Sequence, residues 1–381
     1  MANLNINIAI DDEIISDYRE NLIDQYEVAA NAIQQLENDP GNADAIHTVF
    51  RALHTIKGNS NLCQLDILTK FCHAVEEIAV GMRQGEIDYT PVLGELILLS
   101  LDKTKEVSED LFNKRKVDSE LLSKIEDILL SISQQPKQEL ASKAVQVISL
   151  ITNQSIDQSN LDSYGFEKLV VPKAGGPIVP DPIIPKDNVE SLEFFKKLSL
   201  LLENKIPFWK GRIDRTLPLA IELNRQMGTP EDPTQLTAAV YMHDIAFAFL
   251  DDRFWNNQTK FNLIEMEMMH QHPSMAAKLL DLVPGWQDAK HIVLQHHEWW
   301  NGAGYPNGIN GDKIRSGAQL LAVIDAFESM THERPDRQFK RSILRAMTEI
   351  NNCSGSQFSP HITSLFNSVV RDTLVHRNKK S

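Results

Sequence analysis

The chain has 381 residues, of which 42% are hydrophobic, and it carries a formal net charge of -14. This length allows two or three globular domains of about 100 to 200 residues each. Phosphate backbones and anionic lipid surfaces repel an acidic protein, so the composition argues against a nucleic-acid polymer or a membrane as the main partner.

The cysteine content and the N-terminus predict a cytoplasmic protein. Cys63, Cys72 and Cys353 are odd in number and form no CxxC pair, so neither a disulfide framework nor a thiolate zinc site is expected. The first residues lack a basic segment followed by an apolar one, and apolar runs such as "LILLSL" are shorter than the roughly 18 residues of a membrane helix. We therefore expect no targeting segment and no transmembrane helix.

The N-terminal part of the chain is predicted to be helical. Apolar residues recur at helical spacing from Asp12 to about Ser133, with breaks such as "NDPGN" at 38–42, and this pattern predicts a helical bundle. One more helix is expected in "KQELASKAVQVISLIT", which follows directly.

The segment 168–188 is rich in proline and glycine and is predicted to be an extended linker. Beyond it, helical patterns resume at about Val189, and no segment shows convincing strand alternation. We predict an all-α chain with one domain at 1–133, a helix plus linker at 134–188, and a second domain at 189–381.

A single histidine in the first domain is predicted to be exposed. On a helix that starts at about Ala43, five apolar residues form the predicted buried stripe: Ile46, Val49, Phe50, Leu53 and Ile56. At about 100° per residue, His54 falls roughly 100° from the centre of that stripe, so its side chain is expected to reach solvent. Gly58 lies one turn further on, although glycine in a helix interior costs up to about 1 kcal/mol relative to alanine. A bare backbone there lets another protein approach the imidazole, and Lys57 supplies a cation for a phosphoryl group.

A histidine in such a place is most often an ordinary surface residue, but the surrounding motif favours a specific role. The segment "HTIKGNS" resembles the HxxKGxS/A signature of histidine phosphotransfer (Hpt) domains, and the resemblance extends over about residues 12–130. It implies a four-helix bundle in which His54 accepts a phosphoryl group from a phosphorylated receiver domain or a hybrid histidine kinase. The residues that it assigns to the support of this site are Lys57, Gly58, Ser60, His73 and Glu76. The partner would bring the metal and the acidic pocket, and no Gly-rich nucleotide lid marks this chain as its own kinase.

The C-terminal half concentrates histidine and aspartate in apolar surroundings. His243 and Asp244 lie in "LTAAVYMHDIAFAFL", where a buried carboxylate costs several kcal/mol unless a cation neutralises it. His272 is expected at a helix start, while His296 and His297 end a helix before a Gly-rich loop. Imidazoles together with carboxylates suit iron, manganese or zinc better than calcium, and a bridging aspartate favours two metals.

The order and spacing of "HD", "HP", "HHExxNGxGYP" and "AVIDAFESMTxxRPxR" resemble the HD-GYP family of HD phosphohydrolases over about residues 205–340. That family is all-helical and hydrolyses cyclic di-GMP at a site with two or three metals. For this chain the resemblance implies one or two divalent ions, with iron or manganese favoured. It assigns six metal ligands: His243, Asp244, His272, His296, His297 and Asp325. It also makes Tyr305 a nucleotide contact, and Arg334 and Arg337 phosphate contacts.

Three residues depart from the family pattern. Arg212 stands where the first histidine ligand belongs, Phe247 replaces the lysine of "HDIGK", and Asn301 replaces the aspartate of "DGxGYP". Two consequences are open. Either a second metal binds weakly, and restoring the histidine and the lysine raises turnover, or the Arg212 guanidinium itself occupies the vacant position as a fixed cation.

Several functions fit these patterns. The first is a cyclic di-GMP phosphodiesterase that responds to phosphorylation of His54. The second is a signalling adaptor whose HD-GYP-like domain binds a ligand or partner without catalysis, and the third is hydrolysis of another phosphoester. A homodimer is compatible with each of them. His270 and His291 are expected to be ordinary histidines rather than ligands.

Overall fold

The computed structural model describes residues 12–113, 115–132, 137–153, 186–251, 262–332 and 342–378. Within these residues the secondary structure is helical, and the only β-type pairing is an isolated bridge between Ser354 and Phe358. The all-α prediction is therefore confirmed. The chain divides into two compact units, 1–165 and 166–381.

The described residues of the first unit form six helices: α1 (Asp12–Asn38), α2 (Ala43–Leu62), α3 (Asp66–Gln84), α4 (Pro91–Phe112), α5 (Ser119–Ile132) and α6 (Lys137–Thr152). The first four form a closed ring, because α2 packs on α1 and α3, and α4 packs on α3 and α1. This ring is a four-helix bundle. Helix α5 packs on α3, and α6 packs on α4 and α5, so α6 is part of this unit.

Local sequence signals fix the ends of the helices that carry the first site. The Asn42 side chain caps α2 by accepting a hydrogen bond of 3.0 Å from the Ala45 amide. Gly85 ends α3 with φ of 75°, a left-handed conformation that glycine adopts without strain.

The buried face of α2 differs in part from the predicted stripe. Val49, Leu53 and Ile56 are buried as predicted, whereas Ile46 and Phe50 are only partly buried. The reason is that α2 is covered by α1 and α3, and the alanines at 45 and 52 complete its buried face.

The second unit contains nine α-helices among its described residues: α7 (Lys186–Lys205), α8 (Arg212–Gln226), α9 (Pro233–Met242), α10 (Leu263–His270), α11 (His272–Asp281), α12 (Gln287–Gln295), α13 (Ser316–Thr331), α14 (Ile343–Asn352) and α15 (Pro360–Asn378). Short 3-10 helices lie at Pro207–Trp209, Ile245–Phe249 and Gly311–Lys313. Helix α7 begins slightly before the predicted start, and the rest of the predicted linker lies outside the described residues.

Four helices of this unit, α8, α9, α12 and α13, form its centre. Helix α9 packs on α8 and α12, and α13 packs on α8 and α12. Buried Glu231, just before α9, accepts hydrogen bonds from the Ser316 hydroxyl at 2.6 Å and the Gly317 amide at 2.8 Å, and so ties α9 to the start of α13. Across the described ranges, every helix is too short or too polar to cross a membrane.

Candidate functional site

The first site lies on the surface of α2 and α3. The His54 side chain is 61% exposed, as predicted, and its Nδ1 atom lies 2.7 Å from Oε1 of Glu76 on α3. A carboxylate only accepts hydrogen bonds, so Nδ1 carries the proton and Nε2 keeps a free lone pair. In the neutral ring, this arrangement leaves Nε2 as an exposed nitrogen that is available as a nucleophile.

Glu76 is the buried centre of this site, and three basic side chains surround it. Lys57 donates to its Oε2 atom, and Nδ1 of His73 lies 3.6 Å from the same oxygen. Burial alone would raise the pKa of Glu76, but the hydrogen bonds from Lys57 and His54 outweigh burial and lower it. Glu76 is therefore a carboxylate at neutral pH.

Two further predicted residues have different surroundings. Ser60 is fully buried, and its hydroxyl lies 3.0 Å from the Tyr18 hydroxyl of α1, so it packs the bundle rather than lining the imidazole. Gly58 is exposed, and a Cβ atom added there would meet no atom within 4 Å. Packing within the unit therefore gives no reason for a glycine at this position.

The second site collects the six predicted metal ligands of the C-terminal unit from four places in the chain. His243 and Asp244 follow α9, His272 begins α11, His296 and His297 follow α12, and Asp325 lies on α13. They form two groups whose ligand atoms all lie within 4.8 Å of one another. The first group contains His272, His296 and His297, and the second contains His243, Asp244 and Asp325.

The first group has the donor set of a metal site. The Nδ1 atoms of His272 and His296 each donate to a backbone carbonyl at 2.6 Å, so in the neutral rings both Nε2 atoms are unprotonated. These two nitrogens lie 3.4 Å apart, and His272 Nε2 lies 3.3 Å from Asp244 Oδ1. Lone pairs that face each other across so short a distance repel unless a proton or a cation lies between them. Three imidazoles and a carboxylate oxygen fit a divalent transition metal.

The pKa values favour the ligand forms of these side chains. Burial, together with the neighbouring histidines, holds the pKa values of His296 and His297 well below the usual range, so both are neutral imidazoles. Burial would raise the pKa of Asp244, but His243, Arg212 and His272 outweigh it and hold that pKa well below its usual range.

The second group already holds a cation from the protein itself. Buried Arg212, at the start of α8, donates from one terminal nitrogen to Asp244 Oδ2 at 2.7 Å. Its other terminal nitrogen pairs with Asp325 Oδ1 and lies 3.3 Å from Nε2 of His243. The guanidinium thus contacts all three members of this group.

A cavity of about 150 Å³ opens beside both groups. Its wall includes Trp209 and Phe247, whose rings meet edge to face at 5.5 Å, and Phe247 stacks on His272 at 4.6 Å. Among the described residues, the Nε atom of Arg212 is buried without a hydrogen-bond partner, and Arg212 also lines the cavity.

The Gly-rich loop after α12 brings Tyr305 to the same cavity. Gly304 packs so closely against the backbone of 297–299 that a Cβ atom would overlap it, and buried Glu298 accepts from the Asn307 amide at 2.7 Å. The Tyr305 ring stacks on His297 at 4.9 Å and on His270 at 4.2 Å. The other two predicted nucleotide contacts, Arg334 and Arg337, lie outside the described residues.

Sequence reasoning missed a charged cluster on the cavity wall. His332 Nδ1 lies 3.0 Å from Glu328 Oε2, and the Nε atom of Arg215 donates to the other oxygen of Glu328 at 2.9 Å. Glu328 follows Asp325 by three residues on α13, and His332 follows it by seven, directly after the end of that helix. Helical spacing alone would have placed them on one face. His270 and His291 are exposed, in agreement with their expected ordinary roles, although His270 contacts Tyr305.

Comparison with known proteins separates the chain into the same two parts. Residues 13–107 match the Hpt domain family, and residues 196–362 match the HD domain family. The N-terminal part is similar to the Chemotaxis protein CheA of Borreliella burgdorferi, with 39% identity over 88 residues that cover 23% of this chain and 10% of that protein.

The C-terminal part is similar to two phosphodiesterases. A "Cyclic di-GMP phosphodiesterase" of Thermotoga maritima is 29% identical over 192 residues, which cover 49% of this chain and 52% of that protein. A "3'3'-cGAMP-specific phosphodiesterase 3" of Vibrio cholerae is 25% identical over 138 residues, which cover 36% of this chain and 30% of that protein. This chain spans about half the length of the Thermotoga protein and smaller shares of the other two relatives. The chain therefore carries an Hpt domain in its N-terminal unit and an HD domain in its C-terminal unit.

Proposed function

We propose that this chain is a phosphorelay signalling protein in which His54 accepts a phosphoryl group and the HD domain hydrolyses a cyclic dinucleotide. The observation that carries the first half is the exposed imidazole of His54 with its Nδ1 proton held by buried Glu76. The second half rests on the grouping of His272, His296 and His297, of which His272 and His296 lie 3.3 Å and 4.0 Å from one oxygen of Asp244.

The phosphotransfer step uses the free nitrogen of His54. The Nε2 lone pair attacks the phosphorus of an aspartyl phosphate on the partner, a nitrogen–phosphorus bond forms, and the bond from phosphorus to the aspartate oxygen breaks. The aspartate leaves as a carboxylate. The imidazole ring gains positive charge in this step, and Glu76 stabilises that charge through the Nδ1 proton, which stays in place.

The partner is proposed to be a phosphorylated receiver domain, free or within a hybrid histidine kinase. Such a partner would supply the phosphoryl group, while Glu76 holds and orients the imidazole that receives it. Gly58 leaves room for its approach, and Lys57 lies one turn from His54 with its charge directed at Glu76. All three cysteines are free thiols, which agrees with the proposed cytoplasmic location.

The metal ligands proposed for the HD domain are Asp244, His272, His296 and His297, and the ions favoured by this donor set are iron and manganese. A divalent metal bound there would supply a Lewis acid for a phosphoryl oxygen and would make water more acidic. The carbonyls that hold Nδ1 of His272 and His296 orient the imidazoles, and Arg212 adds a positive charge to the cavity wall. The Trp209 and Phe247 rings exclude water from one side of the cavity.

The proposed substrate is cyclic di-GMP. The cavity of about 150 Å³ has room for a phosphodiester group and is smaller than the roughly 300 to 1,000 Å³ of a typical pocket for a whole ligand. The cavity, as the described residues bound it, would therefore hold the scissile phosphate rather than the bases of the dinucleotide. Tyr305, at its edge, is the proposed nucleotide contact. The similarity to a 3'3'-cGAMP-specific enzyme makes that dinucleotide the second substrate to test.

Phosphotransfer is tested by incubating the full chain with a receiver domain that carries a radiolabelled phosphoryl group. Wild type and His73→Gln are expected to take up label, whereas His54→Gln is not. His73 is the matched control because it is also exposed and also lies near Glu76. Equal labelling of wild type and His54→Gln would refute the proposed acceptor.

Hydrolysis is tested with cyclic di-GMP and 3'3'-cGAMP in the presence of iron or manganese. The combined His296→Ala and His297→Ala variant should lose bound metal and turnover, whereas His291→Ala, an exposed change on α12, should keep both. A second function, a non-catalytic signalling adaptor, is favoured by Arg212 and Phe247, which replace the usual ligand and lysine. Tight binding of the dinucleotide with no hydrolysis under either metal would support the adaptor instead.

A further inference from the structure

Asp244 is shared between two cation positions. Its Oδ1 atom faces His272 at 3.3 Å and His296 at 4.0 Å, while its Oδ2 atom faces His243 at 3.3 Å and Arg212 at 2.7 Å. A carboxylate that divides its two oxygens in this way is a bridge. One side of the bridge has the donor set of a metal site, and the other side holds a guanidinium.

While Arg212 is present, the second position has neither the space for a metal ion nor the uncompensated negative charge that would attract one. The guanidinium uses Asp244 Oδ2, Asp325 Oδ1 and the neighbourhood of His243 Nε2, which are the three atoms that an ion there would need. It also brings a full positive charge, which repels a divalent ion at this distance. Two carboxylates and one guanidinium leave the second position with little charge to attract another cation.

Packing holds the guanidinium in place. The Trp209 ring lies 4.2 Å from its central carbon atom, a cation–π contact, and the side chain is almost completely buried. Unlike a bound metal, this cation cannot dissociate or lose its charge at any physiological pH.

We infer that Arg212 is a built-in cation that takes the place of a second metal ion, so that the HD domain binds a single divalent metal. This inference rests on the metal site proposed above for the first half of the bridge. It makes His243 and Asp325 partners of a guanidinium rather than metal ligands. The site therefore keeps two cations next to the bridging carboxylate while depending on only one ion from solution.

The test removes the guanidinium and measures whether a metal replaces it. Full-length wild type, Arg212→Ala and Arg212→His are each stripped with EDTA and reloaded with Mn²⁺. Bound metal per chain is counted, and the thermal unfolding midpoint is recorded before and after reloading. Arg212→Lys, which keeps a cation, and Arg215→Ala, which removes a neighbouring arginine paired with Glu328, are the matched controls.

Both Arg212→Ala and Arg212→His are expected to bind one more Mn²⁺ per chain than wild type. Their unfolding midpoints should drop in EDTA and recover with Mn²⁺, because the ion again neutralises Asp244 and Asp325. Arg212→Lys and Arg215→Ala should bind as many ions as wild type, and Mn²⁺ should raise their midpoints no more than it raises that of wild type. Arg212→His supplies a ligand as well as space, so the comparison stands even where Arg212→Ala does not fold.

The inference is overturned if wild type binds two ions, or if both variants bind the same number as wild type and Mn²⁺ raises their midpoints no further. Failure of the proposed metal site has a different signature, in which wild type binds no ion. A wild type without metal and variants with one ion would support the role of Arg212 and reject the ligand set proposed for His272, His296 and His297.

Discussion

Histidine serves two different purposes in this chain, and the partner of Nδ1 separates them. In the Hpt domain, the Nδ1 proton of His54 is held by the carboxylate of Glu76, which can compensate positive charge on the ring. In the HD domain, the Nδ1 protons of His272 and His296 are held by uncharged backbone carbonyls. The first arrangement suits a ring that becomes charged in the proposed phosphotransfer, and the second suits a ring whose Nε2 would face the proposed metal ion.

The histidines of the two sites also differ in solvent exposure. His54 is 61% exposed, so that a partner protein can reach Nε2, whereas His296 is completely buried, so that only an ion or a small ligand can reach it. A nucleophile that receives its substrate on another protein needs an open surface. A side chain that binds a metal ion, in contrast, needs to lie among the other donor atoms in a site that excludes water.

The largest effect is expected from a substitution that gives Nδ1 of His54 an uncharged partner, as Nδ1 of His272 and His296 have. Glu76→Gln replaces the charged partner of His54 with a neutral acceptor of the same shape. Hydrogen bonds to charged groups contribute about 1.5 to 3 kcal/mol, so the rate of phosphotransfer should fall by about 10- to 150-fold. The measurement is the initial rate of label transfer from a phosphorylated receiver domain to the full chain.

Glu77→Gln is the matched control for this change. Glu77 is the next residue on α3 and lies 3.7 Å from His73, and His54 is not among its contacts. Its substitution should leave the transfer rate within about twofold of wild type. Equal losses in the two variants would mean that overall negative charge, rather than the bond to Nδ1, sets the rate.

A smaller effect is expected on stability in acid. Because the pKa of Glu76 is lowered in the folded protein, its carboxylate stabilises the fold at pH values above the ordinary glutamate pKa of about 4.3. This contribution is lost as the pH falls through the folded-state pKa. Wild type should therefore be more stable than Glu76→Gln at pH 6, and the difference should shrink as the pH decreases below about 4.3.

Amide hydrogen exchange in α2 and α3 of the full chain measures that difference locally, after correction for the intrinsic exchange rate. A difference that grows as the pH decreases would contradict the sign of the pKa shift.

The smallest effect is expected from Gly58→Ala, which should raise stability but weaken phosphotransfer. Gly58→Ala adds a methyl group that meets no other atom of the described residues, and alanine favours a helix by up to about 1 kcal/mol over glycine. The first unit should become more stable. Phosphotransfer should nevertheless require a few-fold higher receiver concentration, because the methyl group faces the approaching partner. Greater stability with unchanged transfer would show that the glycine does not serve docking.

The fold was predictable because its signals are local. Helical periodicity and the breaks at "NDPGN" and "RQGEIDYTP" indicated the bundle, and the exposure of His54 followed from its angle to the apolar stripe. The predicted stripe was wrong at Ile46 and Phe50, because periodicity marks apolar positions without showing which of them face neighbouring helices.

The residues that lie together in the second site were predictable, but the contacts that divide them into two proposed cation positions were not. The motifs identified the histidines, and the departure at Arg212 was visible in the sequence. Only three-dimensional contacts reveal that its guanidinium reaches both Asp244 and Asp325. Similarly, Phe247 looked like the loss of a charge, whereas its ring stacks on His272. Contacts between residues distant in sequence depend on tertiary packing, which no local pattern encodes.

The most direct test of the different roles of these histidines is to map the phosphorylated residue. The full chain contains twelve histidines. After transfer from a phosphorylated receiver domain, peptide mass spectrometry under alkaline conditions that preserve phosphohistidine should find the modification on His54 alone, both with manganese present and after its removal. Phosphorylation of His272, His296 or His297, or its absence from His54, would contradict the assignment of one exposed nucleophile and one buried set of metal ligands.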